Sequence, residues 1–186
     1  MAVYELAAPL TDETIRQLQI GDEVLLTGVI YMARDAAHLR MVRLLEEGLP
    51  LPVDLRGQIL FYAGPCPAKT GRIIGPVAPT TASRMDPFTP AMFAYGVKGT
   101  IGKGPRGTEV RDACRAYGTV SLAAVGGLSA VLSQRVRSVE VVAYEDLGPE
   151  AIRRIEVEQF PTLVTYDAHG GDLYTQEIAK YRRISF

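Results

Sequence analysis

The sequence predicts an α/β fold in one domain spanning residues 1–186, and three observations carry that prediction. Short runs rich in β-branched and aromatic residues alternate with amphipathic stretches of helical period along the chain. A hydrophobic fraction of 47% is enough to fill a core, and 22% charged residues are enough to solvate a surface. No repeat and no low-complexity linker divides the chain.

The first helix opens at Leu10-Thr11-Asp12-Glu13. Thr11 is a good N-cap, the two acids sit in the positive first turn, and Leu10 can staple to Ile15. After Gly21 the run Glu23–Met32 reads as a strand. A second helix starts at Asp35, where an aspartate is a natural N-cap. Ala37, Met41, Leu44 and Leu45 form one buried stripe on it, and Gly48 ends it. Gln58–Ala63 is a short apolar strand. Gly64 to Pro79 holds four prolines and three glycines, too many for regular structure, and is long for a passive connector. Pro79-Thr80-Thr81 caps a short helical segment, and Thr89-Pro90 starts a helix that stops at Gly96. Then follow a strand over Val97–Ile101, a helix over Glu109–Tyr117, a strand over Thr119–Ala124, a helix from Gly127 and a strand over Ser138–Tyr144. The last part reads as a strand over Phe160–Asp167, a turn at His169-Gly170-Gly171 and a returning strand from Asp172.

Composition excludes several function classes. Twenty basic and twenty-one acidic side chains give a net charge of −1, without the basic excess of a nucleic-acid binder. No apolar run approaches the roughly 20 residues needed to span a bilayer. The stretch MAVYELAAPLTDE lacks the charged and apolar regions of a secretory signal, which predicts a cytoplasmic protein. Cys66 and Cys114 lie far apart, in no CxxC pair and beside no histidine at ligand spacing. A zinc site takes about four ligands and an iron–sulfur cluster three or four cysteines, so this chain alone is expected to hold no metal. The two thiols are expected to be buried or half-buried.

Three segments could carry chemistry. In Arg34-Asp35-Ala36-Ala37-His38, Arg34 stands where a strand hands over to a helix, a common place for ligand-binding side chains. His38 lies one turn into that helix, able to pack under the loop or to orient Arg34. In Pro79-Thr80-Thr81-Ala82-Ser83-Arg84-Met85-Asp86, hydroxyls precede an arginine at a helix start that favours an anion. Helical spacing would place Thr80 and Arg84 on one face, and the arginine fork suits a carboxylate. The third, Gly99 to Gly107, formally contains GxGxxG, but Pro105 removes an N–H and no acidic residue stands at the dinucleotide offset. It also fails as a Walker loop, because Val97 and Gly104 replace required residues. A lysine, Lys103, on a turn holding a small anion is the better reading. The three segments together offer Arg34, Arg84 and Lys103 to a small dianion, with the Thr80 hydroxyl beside it.

These segments, in this order, resemble the β subunit of the iron–sulfur hydro-lyases, class I fumarase and L(+)-tartrate dehydratase. The likeness runs through IGDEVLLTG, RDAAH, FYAGPCPA, PTTASRMD, GTIGKG, the glycine pair at Gly126-Gly127 and VEQFPTLVTYDAHGGDLY. It implies a swivelling β/β/α layered domain that docks over an α subunit, in an α2β2 assembly. In the family the α chain holds a [4Fe–4S] cluster through three cysteines, leaving one iron open for the substrate hydroxyl and carboxylate. Carried over residue by residue, Arg34 and Arg84 bind substrate carboxylates, Lys103 is the lysine of GKG, and Thr80 is the acid–base residue. Asp35, His38 and Thr81 support the site. Fumarases generally carry glycine before PTT, where this chain has Ala78 ahead of Pro79, and often glycine at Ser83. ARDAAH looks like the fumarase form, since tartrate dehydratases tend to carry cysteine in that block. The resemblance thus implies reversible hydration of fumarate to (S)-malate, with tartrate dehydration to oxaloacetate as the alternative. A stand-alone anion-binding module without catalysis is the reading from a different class. A large exposed apolar patch near the Gly64–Pro79 loop would favour the subunit reading.

Overall fold

Strand β1 (Val3–Ala8) leads into helix α1 (Asp12–Gln17), strand β2 (Glu23–Met32) and helix α2 (Asp35–Glu46). Strand β3 (Ile59–Phe61), helix α3 (Thr89–Tyr95), strand β4 (Gly99–Gly102), helix α4 (Thr108–Tyr117) and strand β5 (Val120–Ala123) continue the alternation. Helix α5 (Ser129–Gln134), strand β6 (Val136–Ala143), the long strand β7 (Ile152–Tyr166) and helix α6 (Leu173–Tyr181) complete it. This is a computed structural model, and it describes residues 1–182. The architecture is mixed α/β.

Strands β1 to β5 pair in sequence order, each parallel to the next, so their carboxyl ends share one edge. Strand β7 runs antiparallel to β2 along nearly all of it and antiparallel to β5 on its other side. That double pairing closes β2, β3, β4, β5 and β7 into a ring, with β6 added outside β7.

Two apolar clusters fill the two faces. Leu26, Ile30, Phe61, Ile101, Leu122, Phe160 and Val164 meet inside the ring. Leu60, Tyr62, Met41, Phe93, Val110 and Cys114 pack between the sheet and helices α2 to α4. Because side chains alternate across a strand, Ile59 and Phe61 enter the first cluster and Leu60 and Tyr62 the second. Burial on both faces is why this segment is apolar without alternation.

Local signals explain the element boundaries. Thr11 caps α1 by accepting from the Thr14 N–H at 3.1 Å. Strand β2 keeps its predicted bounds, with Val24, Leu26, Ile30 and Met32 turned inward. Gly28 sits at φ 123° beside a register shift against β7, and a Cβ there would lie 2.6 Å from the Ala8 carbonyl oxygen. Only glycine allows β1 that close.

Some expectations are corrected. Strand β1 was not foreseen; it is a sheet-edge strand with alternating half-burial, too short and mixed to stand out. The N-cap of α2 is Arg34, without a side-chain cap bond, and Asp35 is the first helical residue because its carboxylate is engaged by arginines. Among the described residues no strand returns from Asp172. Apart from one bridge to Tyr166, Asp172 caps α6, accepting from the Thr175 N–H at 3.1 Å and its hydroxyl at 2.8 Å. Strand β7 begins at Ile152, eight residues before the predicted start at Phe160, and left-handed Gln159 interrupts the alternation that would have revealed it. Cys66 is exposed on the proline-rich loop, while Cys114 is buried.

Candidate active site

The shared carboxyl edge of the parallel strands is where α/β folds place ligands, because the chain leaves each strand there through a loop. Arg34 follows the end of β2, Tyr62 ends the β3 run, Lys103 follows β4, and Gly126 lies beyond β5. The proline-rich loop returns to this edge through Thr80. The Thr80 N–H donates to the Tyr62 carbonyl at 2.7 Å, and its own carbonyl accepts from the Lys103 N–H at 3.1 Å. The Ala82 N–H donates to the Lys103 carbonyl at 2.8 Å, so the PTT segment is stitched between the ends of β3 and β4. Gly102 permits this approach, since a Cβ there would sit 2.7 Å from the Ala82 Cβ.

The side chains form a connected group. Arg84 Nη1 donates to Thr80 Oγ1 at 3.4 Å, and Arg84 Nη2 pairs with Asp35 Oδ1 at 2.6 Å. The other Asp35 oxygen faces Arg34 Nε at 3.5 Å, and Glu150 Oε1 faces Arg34 Nη2 at 3.5 Å. Neither contact to Arg34 is a hydrogen bond, and its buried Nε has no hydrogen-bond partner among the described residues. The guanidinium is therefore held by charge, with donor capacity left for an incoming carboxylate. Arg84 is 49% exposed, and Thr81 and Lys103 are also exposed. The aliphatic stem of Lys103 lies over Gly126, where a Cβ would be 3.5 Å from it.

The structure thus brings together Arg34, Asp35, Thr80 and Arg84 through side chains, and Lys103 and Thr81 through a backbone bridge. His38 stands apart, fully buried behind the site. Its ring packs on Tyr62 and Phe88, and Nδ1 donates to the Arg34 carbonyl at 2.8 Å. A carbonyl can only accept, so Nδ1 carries a proton, and burial disfavours a second one on Nε2. Burial pushes its pKa down to about 4, against the opposing pull of that carbonyl. His38 supports the Arg34 backbone and does not present itself to a ligand.

Three residues of this region were not singled out from sequence. Glu150 reaches the start of α2 from the β6–β7 connection, a separation no spacing rule reveals. Arg106 and Asp86 form a buried pair, with side chains 3% and 8% exposed. Asp86 accepts from Arg106 Nε at 2.5 Å and from the Gly107 N–H at 2.7 Å, while Arg106 Nη2 donates to Thr89 at 2.6 Å. This pair joins the loop carrying Lys103 to the turn carrying Arg84. The Pro105-Arg106-Gly107 turn was visible as a motif, but nothing in it shows that the arginine points inward.

No group of three or more histidine, cysteine, aspartate or glutamate side chains among the described residues could hold a metal ion. Cys114 is in the core, where burial raises its thiol to about 11 and disfavours the thiolate a metal needs. The donors present do not fit an iron–sulfur cluster. A cavity of about 470 Å3 lies between the proline-rich loop and α5 and is lined by Arg72, Ile73, Ile74 and Val136, away from Arg34 and Thr80. The cationic group is instead an open cluster at the strand ends.

A family model described as "Fumarase C-terminus" matches residues 2–177. The chain is 43% identical over 153 residues to fumarate hydratase 1, mitochondrial, of Leishmania major, covering 81% of this chain and 28% of that protein. It is 37% identical over 168 residues to the anaerobic class I fumarate hydratase of Escherichia coli (strain K12), covering 89% of this chain and 31% of that one. A provisionally named L(+)-tartrate dehydratase subunit beta of Methanocaldococcus jannaschii is 36% identical over 173 residues, covering 90% of this chain and 89% of that one. The chain therefore spans less than a third of the fumarate hydratases and nearly all of the tartrate dehydratase subunit.

Proposed function

The chain belongs to the fumarase C-terminus family, and from that premise we propose that it is the β subunit of a class I fumarate hydratase, catalysing reversible hydration of fumarate to (S)-malate. The observation that carries this reading is the Arg34–Asp35–Arg84–Thr80 group at the strand ends, with Lys103 on the adjoining loop. The mixed α/β architecture supports reading the chain as the swivelling β/β/α domain that the resemblance implies. The [4Fe–4S] cluster belongs to an α subunit, because this chain's donors do not fit one; two of each subunit form the assembly. A cytoplasmic location is part of this reading; among the described residues no helix is long and apolar enough to cross a membrane.

The chain's own residues supply substrate binding and one proton transfer. Arg34 and Arg84, with Lys103, hold the two carboxylates of the dicarboxylate. Their charge stabilises the negative charge that builds on a carboxylate when the neighbouring carbon loses its proton. Thr80 acts as its alkoxide: its hydroxyl proton passes to a carboxylate of the partner chain, which protonates the departing hydroxyl to water. The alkoxide takes the carbon-bound proton in dehydration and returns it to carbon in hydration. A free threonine hydroxyl is a poor base, but Arg84 donating to Oγ1 stabilises the oxygen when it carries negative charge.

The open position of the cluster supports a site completed by another chain. Exposed Ile73 and Val141 line one hollow beside the proline-rich loop, and Val125, Leu128 and Val131 are exposed on the segment after β5. Such apolar exposure favours a subunit over a stand-alone anion-binding module. L(+)-tartrate dehydration is the second reading, favoured by the near-complete overlap with a tartrate dehydratase subunit.

Anaerobic capture of the tagged chain from its own cells tests the reading. The eluate is assayed for iron and for fumarate–malate interconversion, with tartrate in parallel. An iron-containing partner with fumarate activity is expected. Tartrate activity alone would replace the substrate, and a lone, iron-free, inactive chain from a lysate that retains fumarase activity would overturn the reading.

A further inference from the structure

Helix α2 begins without a side-chain cap of its own, because its N-cap residue is Arg34. The orphan N–H of Ala36 donates instead to Glu150 Oε2 at 2.8 Å, a carboxylate delivered from the β6–β7 connection. The other oxygen of that carboxylate faces Arg34 Nη2 at 3.5 Å. A third contact closes the slot. A Cβ on Gly64 would lie 2.8 Å from the Pro149 carbonyl oxygen and 3.2 Å from Arg34 Cδ. The Arg34 side chain thus runs between Gly64 and the turn that carries Glu150.

We propose that Glu150 is a positioning residue for substrate binding: one carboxylate fixes both the start of α2 and the guanidinium of Arg34. The inference rests on the hydro-lyase reading above. Glu150 does not reach the substrate. With Asp35 at Nε and Glu150 at Nη2, the two carboxylates together hold the Nε–Nη2 edge of the guanidinium, so that Arg34 stays aimed at the site before a dicarboxylate arrives. Preorganisation of this kind matters because a ligand-binding group displaced by about 1 Å can cost up to about 100-fold.

Glu150→Gln separates this role from capping. The amide oxygen still accepts the Ala36 N–H, while the charge facing Arg34 is lost. In the assembled enzyme this variant is expected to raise KM for the dicarboxylate by roughly tenfold. Its kcat is expected to stay within about threefold and its melting temperature to match the wild type. Combined with Arg34→Lys, Glu150→Gln is expected to add no further loss, since the group it positions is gone. Glu150→Gln kinetics equal to wild type would overturn the inference while leaving the hydro-lyase reading intact. A wild-type complex that neither binds nor turns over fumarate or tartrate would overturn that reading, and this inference with it.

Discussion

His38 and Arg34 divide the work of one short motif by burial. Arg34 is held at the edge between two carboxylates, and His38 is sealed beneath it as a neutral imidazole. Its folded pKa, about 4, lies below the ordinary 6.5, so between those values the unfolded chain binds more protons than the folded one. Stability from this group is complete above about 6.5 and is lost as pH falls toward 4, by roughly 3 kcal/mol in total. Denaturant unfolding measured from pH 7 to pH 4 is expected to show this fall. The His38→Asn variant is expected to show a flatter profile over the same window. The histidine itself was legible as part of Arg-Asp-x-x-His, but its direction was not. Whether a helical side chain turns to core or to ligand depends on what packs above it, here Tyr62 and Phe88 from later segments.

At the level of elements, the site is two loops held against each other. Backbone bonds stitch Thr80 and Ala82 to Lys103, and the buried Arg106–Asp86 pair locks the same loops from below. Asp86→Ala leaves a buried guanidinium uncompensated, at a cost expected to be about 3–5 kcal/mol by denaturant titration. A loss below about 1 kcal/mol would show that the pair is not the joint between these loops. Elements with strong local signals were readable. Glu23–Met32 shows inward alternation and bounding turns, and Thr11 caps its helix from its own side chain. Elements defined by distant partners were not. Val3–Ala8 is a strand because β2 offers it an edge, and the first half of β7 is a strand because it lies between β2 and β6. Asp172 was misread because aspartate after two glycines marks a turn equally well whether strand or helix follows.

For the whole molecule, the sheet topology explains why residues spread from Arg34 to Lys103 converge. Parallel strands in sequence order deliver every loop to one edge, and β7 closes the ring behind them. The order of the functional segments was legible, as were Arg34, Thr80, Arg84 and Lys103 as candidates. Their carboxylate neighbours were less so, because Glu150 lies far from Arg34 in sequence and meets it only through the fold. The resulting cluster is cationic but open, with its most exposed arginine paired to Asp35 until a ligand competes for it. In the proposed reaction Thr80 moves the proton while the arginines bind the carboxylates. Turnover and dicarboxylate binding by the assembled enzyme carrying Thr80→Ala test it most directly. The expected result is a loss of turnover of about 100-fold or more, with binding retained. Turnover close to wild type would contradict it.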